Sequence, residues 1–299
     1  MSLFKLQTAP NTAHTWTMGL QRDLHAFFWL RVLLLPNIVH ARQRSFEMAE
    51  KVLAHIRSTQ AGEDRPESAI DILARSVDYQ GQPFTEAHFL GEAMGPYLAW
   101  QDTVAGTLAF ICYTVHKYPH VLERIQAELE TGFADGIPPA NEMRRFEVLH
   151  KAIQETMRRY PVATAMPRHA GRTFEFFGFR VPAGVEVFCA TSVTHFLPEN
   201  YPNLYTFDID RPSGPSGSFS PYGAGNYACL GAGIADVQLL VTMAALLRRA
   251  RFELDPPGYE ANLATIPLPN PGRYRLKLAA RHPRVFLKSE NPDAYAVES

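Results

Sequence analysis

The first 160 residues alternate between apolar helical patterns and short polar breaks. Residues 1–15 are polar and irregular. From about Met18 to Leu35 the chain is strongly apolar and helix-forming, and Pro36 closes the run. From Ile38 to Ser58, Val39, Phe46, Met48, Val52, Leu53 and Ile56 are separated by charges, which predicts an amphipathic surface helix. A turn at Ala61-Gly-Glu-Asp-Arg-Pro66 leads to a short helix over Ser68–Ser76 and a loop at Gln80-Gly-Gln-Pro83. Glu86–Lys117 shows little polarity between Gly91 and Val115, so a helix there is expected to be buried on most sides. Gly95-Pro96 is expected to loosen its backbone ladder, because proline brings no N–H and clashes with the preceding turn. Beyond Tyr118-Pro119, His120–Gly132 presents Leu122, Ile125 and Leu129 on one face. A loop over Ala134–Ala140 precedes another helix, Met143–Arg159.

The pattern then changes. Thr173–Gly178, Phe179–Gly184 and Val185–Ala190 alternate between Gly and Pro punctuation, which predicts strands of a small sheet. Ile234–Ala250 is an apolar helical run, Phe252–Leu254 a short strand, and Tyr274–Ala279 an edge strand after a turn over residues 266–272. The fold class is mainly α with small β-sheets (α+β). One domain is expected over 1–282: helical over 18–160, a small sheet over 165–192, a cysteine loop and helix over 219–250, and a C-terminal hairpin over 251–282. Residues 283–299 form a tail.

Composition narrows the function classes. A chain of 299 residues can bury a sizeable core as one large domain or two. Its 46% hydrophobic and 20% charged content describes a soluble globular protein, and a net charge of −1 gives no reason to expect a nucleic-acid partner. Cys112, Cys189 and Cys229 form no CxxC, and no glycosylation sequon occurs, so disulfide frameworks and zinc sites are not suggested. A reducing, cytoplasmic setting follows. The longest early apolar run, Phe27–Leu35, is interrupted by Arg31 and is too short to span a bilayer; core packing or a peripheral membrane contact accounts for Phe27-Phe28-Trp29.

The chemistry centres on Phe219-Ser-Pro-Tyr-Gly-Ala-Gly-Asn-Tyr-Ala-Cys229-Leu-Gly231-Ala-Gly233, a glycine-rich loop that brings a cysteine to the start of the last long helix. Unpaired N–H groups and the positive end of a helix dipole favour an anion, and so a thiolate at Cys229. Gly223, Gly225 and Gly231 remove side chains where a flat group would approach the backbone. Other readings compete. A lone cysteine is often a small buried hydrophobe, and the stretch could be a linker. Gly223-Ala-Gly225-Asn-Tyr-Ala228 also fits a dinucleotide fingerprint, but the preceding Arg211-Pro-Ser-Gly-Pro-Ser-Gly-Ser is a loop and not the required strand.

Tyr222-Gly223-Ala-Gly225-Asn-Tyr227-Ala-Cys229-Leu-Gly231 resembles the cytochrome P450 haem-cysteine motif, with Tyr222 at its leading aromatic and Tyr227 at its basic position. Ala99-Trp-Gln-Asp102-Thr103 resembles the acid–alcohol motif of that family's long helix, with Trp100 in place of a glycine. Glu155-Thr-Met-Arg158 has the E-x-x-R form, and Phe207-Asp-Ile-Asp-Arg211-Pro resembles the segment that supplies its third member. The motifs fall in the family's order across residues 20–282.

The resemblance implies a cytochrome P450-like fold lacking its N-terminal part, with haem b (iron protoporphyrin IX) held by Cys229 as axial ligand. Arg168, Tyr227, Tyr222, Gly223, Gly225, Gly231 and Ala99 are implied around the cofactor. Asp102 and Thr103 are implied as proton donors, and Glu155, Arg158 and Arg211 as a network that fixes the cysteine loop. Tyr97, Leu98, Val162, Ala163 and Ile266 are the implied substrate pocket. The implied activity is a monooxygenase that inserts one oxygen atom from O2 into an apolar small molecule, with electrons from a ferredoxin or flavoprotein reductase. Two alternatives accompany it: a P450-fold enzyme that uses peroxide or isomerises its substrate without external electrons, and a shortened member that binds haem weakly and is not a monooxygenase. A basic patch at Arg248, Arg249 and Arg251 suits an acidic redox partner, and a helix terminus that favours cations accounts for the same residues.

Overall fold

The computed structural model describes residues 69–78, 80–134, 138–261 and 269–281, with helical positions at 44, 47, 50, 51 and 54. The expected helix over Met18–Leu35, the turn residue Ile266 and the tail lie outside the described residues. The chain divides into two compact units, Met1–Ala99 and Trp100–Ser299.

In the first unit, α1 spans Ala69–Arg75. The turn after it is held by Asp78, whose Oδ1 accepts from the N–H groups of Gln80 and Gln82 at 2.8 and 2.9 Å. Gly81 supplies the positive φ of 77° that the turn needs. Helix α2 begins at Glu86 and runs unbroken to Lys117, through Gly95-Pro96. The predicted loosening therefore does not end the helix there.

The second unit is built from the remainder of α2, α3 (Pro119–Gly132), α4 (Glu147–Arg159) and α5 (Ala232–Arg249). Their apolar faces meet in one core that includes Ile111, Val115, Ile125, Leu129, Leu149, Ile153, Leu239 and Met243, all buried, with Phe207 and Ile209 added from the loop before the cysteine segment. The helical run expected from Met143 is in two pieces. A 3-10 turn over Ala140–Arg145 ends at Phe146, whose ring is buried and stacked on Phe133 at 5.1 Å, and α4 starts only at Glu147.

The sheet region consists of separate two-stranded ladders. β1 (Met166–His169) pairs antiparallel with β4 (Glu186–Cys189), and β2 (Phe174–Phe176) pairs with β3 (Phe179–Val181). β5 (Ala250–Asp255) pairs with β6 (Arg275–Arg281) in the C-terminal hairpin. A smaller aromatic core of Phe110, Tyr113 and Tyr160 joins α2 to this last hairpin, and Tyr274 Oη donates to the Ala109 carbonyl at 2.7 Å. Among the described residues, no helix is long and apolar enough to cross a membrane.

Candidate functional site

Three features hold the cysteine loop in place. Gly223 and Gly225 adopt φ of 70° and 74°, which lets the chain turn tightly ahead of a 3-10 turn over Gly225–Tyr227. The Cys229 N–H donates to the Tyr222 carbonyl at 2.9 Å, closing the loop on itself. The Ala232 N–H then donates to the Cys229 carbonyl at 3.3 Å as α5 begins. Cys229 is exposed, unlike Cys112, whose thiol burial pushes up to about 11. Burial as a small hydrophobe therefore suits Cys112, not Cys229.

Around Cys229 the surface is apolar and open. Leu230 is fully exposed and Ile234 is 63% exposed. A Cβ at Gly225 would meet no atom within 4 Å, whereas one at Gly231 would lie 3.8 Å from Cys229 Sγ. Leaving these apolar side chains in water costs free energy.

Tyr222 does more than supply a ring. Its hydroxyl donates to Asp236 Oδ1 at 2.6 Å, and Asp236 Oδ2 accepts from Arg144 at 3.4 Å. Burial and the Asp236 carboxylate both push the phenol pKa upward, so the hydroxyl stays a donor. Tyr222→Phe is expected to remove this charge-assisted tie and to cost about 1–3 kcal/mol in a urea denaturation series. A change under about 0.3 kcal/mol would mean that the tie is not a net contributor.

Tyr227, at the position where the resembled motif is basic, lies beneath a cation: the Arg168 guanidinium sits 4.9 Å from its ring centre. Arg168 also donates to the Pro167 carbonyl at 2.8 Å. Strand β1 and the cysteine loop therefore meet through a cation–π contact.

Glu155, Arg158 and Arg211 come together. Arg158 donates from Nε and Nη2 to the two Glu155 oxygens at 2.7 and 2.8 Å, and Arg211 Nε reaches Glu155 Oε1 at 3.4 Å. The backbone supplies further acceptors. Arg158 donates to the carbonyls of His195 and Leu204 at 3.0 and 2.9 Å, and Arg211 donates to those of Pro202, Asn203 and Thr206. Asp208 N–H donates back to Glu155 Oε1 at 3.2 Å. Arg158 and Glu155 are almost fully buried, so the i, i+3 spacing here is not a minor surface pair.

On α2, Asp102 is exposed and Thr103 half-buried, with the Thr103 carbonyl accepting from Thr107 Oγ1 at 2.8 Å. Trp100 packs against the main core, and its indole N–H is buried without a hydrogen-bond partner among the described residues. Val162 packs against the aromatic core, its Cγ1 3.3 Å from where a Cβ on Gly106 would stand; Ala163 beside it is half-buried. Ala99 is an exposed position of α2. The side chains of Tyr97 and Leu98, and all of Ile266, lie outside the described residues.

One residue of this region has no motif to announce it. His195, in the 3-10 turn Thr191–Phe196, is 1% exposed, and its Nε2 accepts from the Ser220 N–H at 3.1 Å.

Residues 11–272 match the family described as Cytochrome P450. The chain is 28% identical over 227 residues to a sterol 14alpha-demethylase of Mycolicibacterium vanbaalenii, a match that covers 73% of this chain and 50% of that protein. It is 25% identical to a pentalenene oxygenase of Streptomyces avermitilis, over 89% of this chain and 60% of the relative. It is 31% identical to the thromboxane-A synthase of Mus musculus over 58% of this chain and 34% of the other. The solved heme domain of cytochrome P450DA superposes with a TM-score of 0.71 at 21% identity, over 93% of this chain and 61% of that one. The chain thus spans about half the length of the sterol 14alpha-demethylase that it matches.

Proposed function

Because the chain belongs to the cytochrome P450 family, whose members are haem-thiolate proteins, we propose that it is a monooxygenase that holds haem b through Cys229. The observation that carries this reading is an exposed cysteine on a loop of positive-φ glycines, bordered by the exposed apolar residues Leu230 and Ile234. These residues fit a flat, largely apolar cofactor. A buried thiol or a bulky loop would not.

When bound through a thiolate, haem supplies the activation of O2 and the insertion of one oxygen atom into substrate. The residues of the chain do the rest. Cys229 would hold the iron through its sulfur, and the loop hydrogen bond to the Tyr222 carbonyl sets the backbone that presents it. Gly223, Gly225 and Gly231 leave the face of the loop clear. Arg168, stacked on Tyr227, is the cation assigned to a propionate, with the Tyr227 hydroxyl as a second donor. Thr103 Oγ1 and the Asp102 carboxyl hold and pass the protons that the reaction consumes. Ala99, Tyr97, Leu98, Val162, Ala163 and Ile266 are assigned to the cofactor and substrate side, and an apolar small molecule is the substrate class. Electrons come from a ferredoxin or flavoprotein reductase. The haem domain extends over residues 1–282.

Purified chain is mixed with haem, reduced under carbon monoxide, and its absorption recorded. A thiolate-ligated band is expected, and Cys229→Ala is expected to lose it completely while keeping the far-ultraviolet helical signal. No band from the unaltered chain, with haem left free, would refute the assignment.

A further inference from the structure

His195 sits where two parts of the site meet. Its backbone carbonyl accepts from Arg158 Nη1 at 3.0 Å, so its main chain is fastened to the Glu155–Arg158 pair. Its side chain reaches the other way, where Nε2 accepts from the Ser220 N–H at 3.1 Å. The ring also lies 5.4 Å from that of Phe219, the first residue of the cysteine segment. Ser220 is followed by Pro221 and Tyr222, and the Tyr222 carbonyl is the acceptor for the Cys229 N–H. A short chain of bonds therefore runs from the buried pair on α4, through one histidine, to the loop closure that presents the thiol.

Accepting at Nε2 fixes the tautomer, because a ring nitrogen that accepts a hydrogen bond from the Ser220 N–H uses its lone pair and carries no proton itself. The neutral ring must then carry its proton on Nδ1, which is buried and makes no hydrogen bond among the described residues. Leaving a buried donor unpaired is unfavourable, and a locally satisfied core histidine would not leave Nδ1 without a partner at hydrogen-bond distance. The loop contact is what the geometry secures in exchange.

We propose that His195 is a positioning residue, its neutral imidazole pinning the start of the cysteine loop to the Glu155–Arg158 pair. The consequence for a cysteine-bound haem rests on the reading in the preceding subsection; the tie itself does not. Without it Ser220 N–H loses its partner, and the loop can shift relative to the helix that Glu155 and Arg158 anchor. The chemistry of the ring is otherwise unused: it donates nothing and titrates away from neutrality only when the tie breaks.

The experiment works on the chain without added haem. In the 15N spectrum of the unaltered protein the His195 ring is expected to carry its proton on Nδ1, with Nε2 bare; a proton on Nε2 would overturn the proposal without any variant. His195→Phe keeps the ring volume but offers no acceptor, so exchange of the Ser220 amide should quicken on the order of tenfold or more. His195→Gln offers a side-chain oxygen at a similar reach and should restore most of the protection, which a purely volumetric role would not predict. Equal protection in the phenylalanine variant and the unaltered chain, or a glutamine variant as unprotected as phenylalanine, overturns the tie. Haem titration of the same samples separates the two claims. Expected exchange behaviour with no thiolate band in the unaltered chain refutes only the haem assignment, and an intact band in the phenylalanine variant with lost Ser220 protection refutes only the link from the tie to the cofactor.

Discussion

Arg158→Ala is expected to lower the unfolding free energy by about 3–5 kcal/mol, read as a fall in the urea midpoint at unchanged slope. The guanidinium is 2% exposed and donates to both oxygens of a carboxylate that is 6% exposed, so its removal leaves Glu155 buried with much of its compensation gone. Arg211 does not replace it, because its Nε stands 3.4 Å from Glu155 Oε1 and its other nitrogens are committed to the carbonyls of Pro202, Asn203 and Thr206. The carbonyls of His195 and Leu204 lose a donor as well. Unpaired buried charge, not the lost attraction itself, dominates the cost, so Arg158→Ala combined with Glu155→Leu should recover a large part of the loss. A single variant that costs under about 1 kcal/mol would place the pair with ordinary surface pairs and remove it as an anchor for the loop.

Much of the helical frame was legible because helical periodicity is a local signal. The ends of α2 follow from the apolar run and from the Tyr118-Pro119 stop. Gly95-Pro96 does not end the helix, because proline's missing N–H deprives only one carbonyl of a partner. The continuous helix on either side outweighs that loss, and the exposed position of Gly95 leaves the region open to water. The break at Phe146 was hidden for the opposite reason. The residue has no turn chemistry, but its buried ring, stacked on Phe133, pulls the backbone out of helix. Strand β1 carries a proline and no alternation, so only its non-local pairing with β4 creates it.

The candidate site divides in the same way. Side-chain motifs such as the cysteine loop and the E-x-x-R spacing are visible as residue types. The carbonyls of Pro202, Asn203, Leu204 and Thr206 that complete the network are not, since every residue has a carbonyl. Trp100, which stands at a motif glycine, turns into the main core. Tyr227, which lacks the motif's charge, lies under the guanidinium of Arg168 instead, supplied from a strand some sixty residues upstream. His195 left no trace because a lone histidine in a short 3-10 turn has no spacing to read.

Acid should weaken the fold through that same histidine. Burial pushes the His195 imidazole from its ordinary 6.5 down to about 4; the Arg158 main chain opposes this, and the Arg158 guanidinium adds a smaller push in the same direction as burial. The charged groups on that side are Arg158 and its partner Glu155 from α4; the loop presents only Phe219 and Ser220, neither of which titrates in this range. The folded value lies below the unfolded one, so between about pH 6.5 and 4 the unfolded chain binds a proton that the folded chain refuses. Stability therefore falls as pH drops through that window, by about 3 kcal/mol in all, and below about 4 this group adds no further slope. His116 and His150, also pushed down by burial, steepen the fall in the same direction. Paired carboxylates add their own acid loss, so the decisive measurement is a difference. Urea midpoints at pH 7, 5.5 and 4 should converge between the unaltered chain and His195→Gln as the pH falls, because only the former has this imidazole to protonate. Parallel curves over that range would mean that the ring takes up its proton without disturbing the fold, and neither the tie to Ser220 nor its burial would then be holding it neutral.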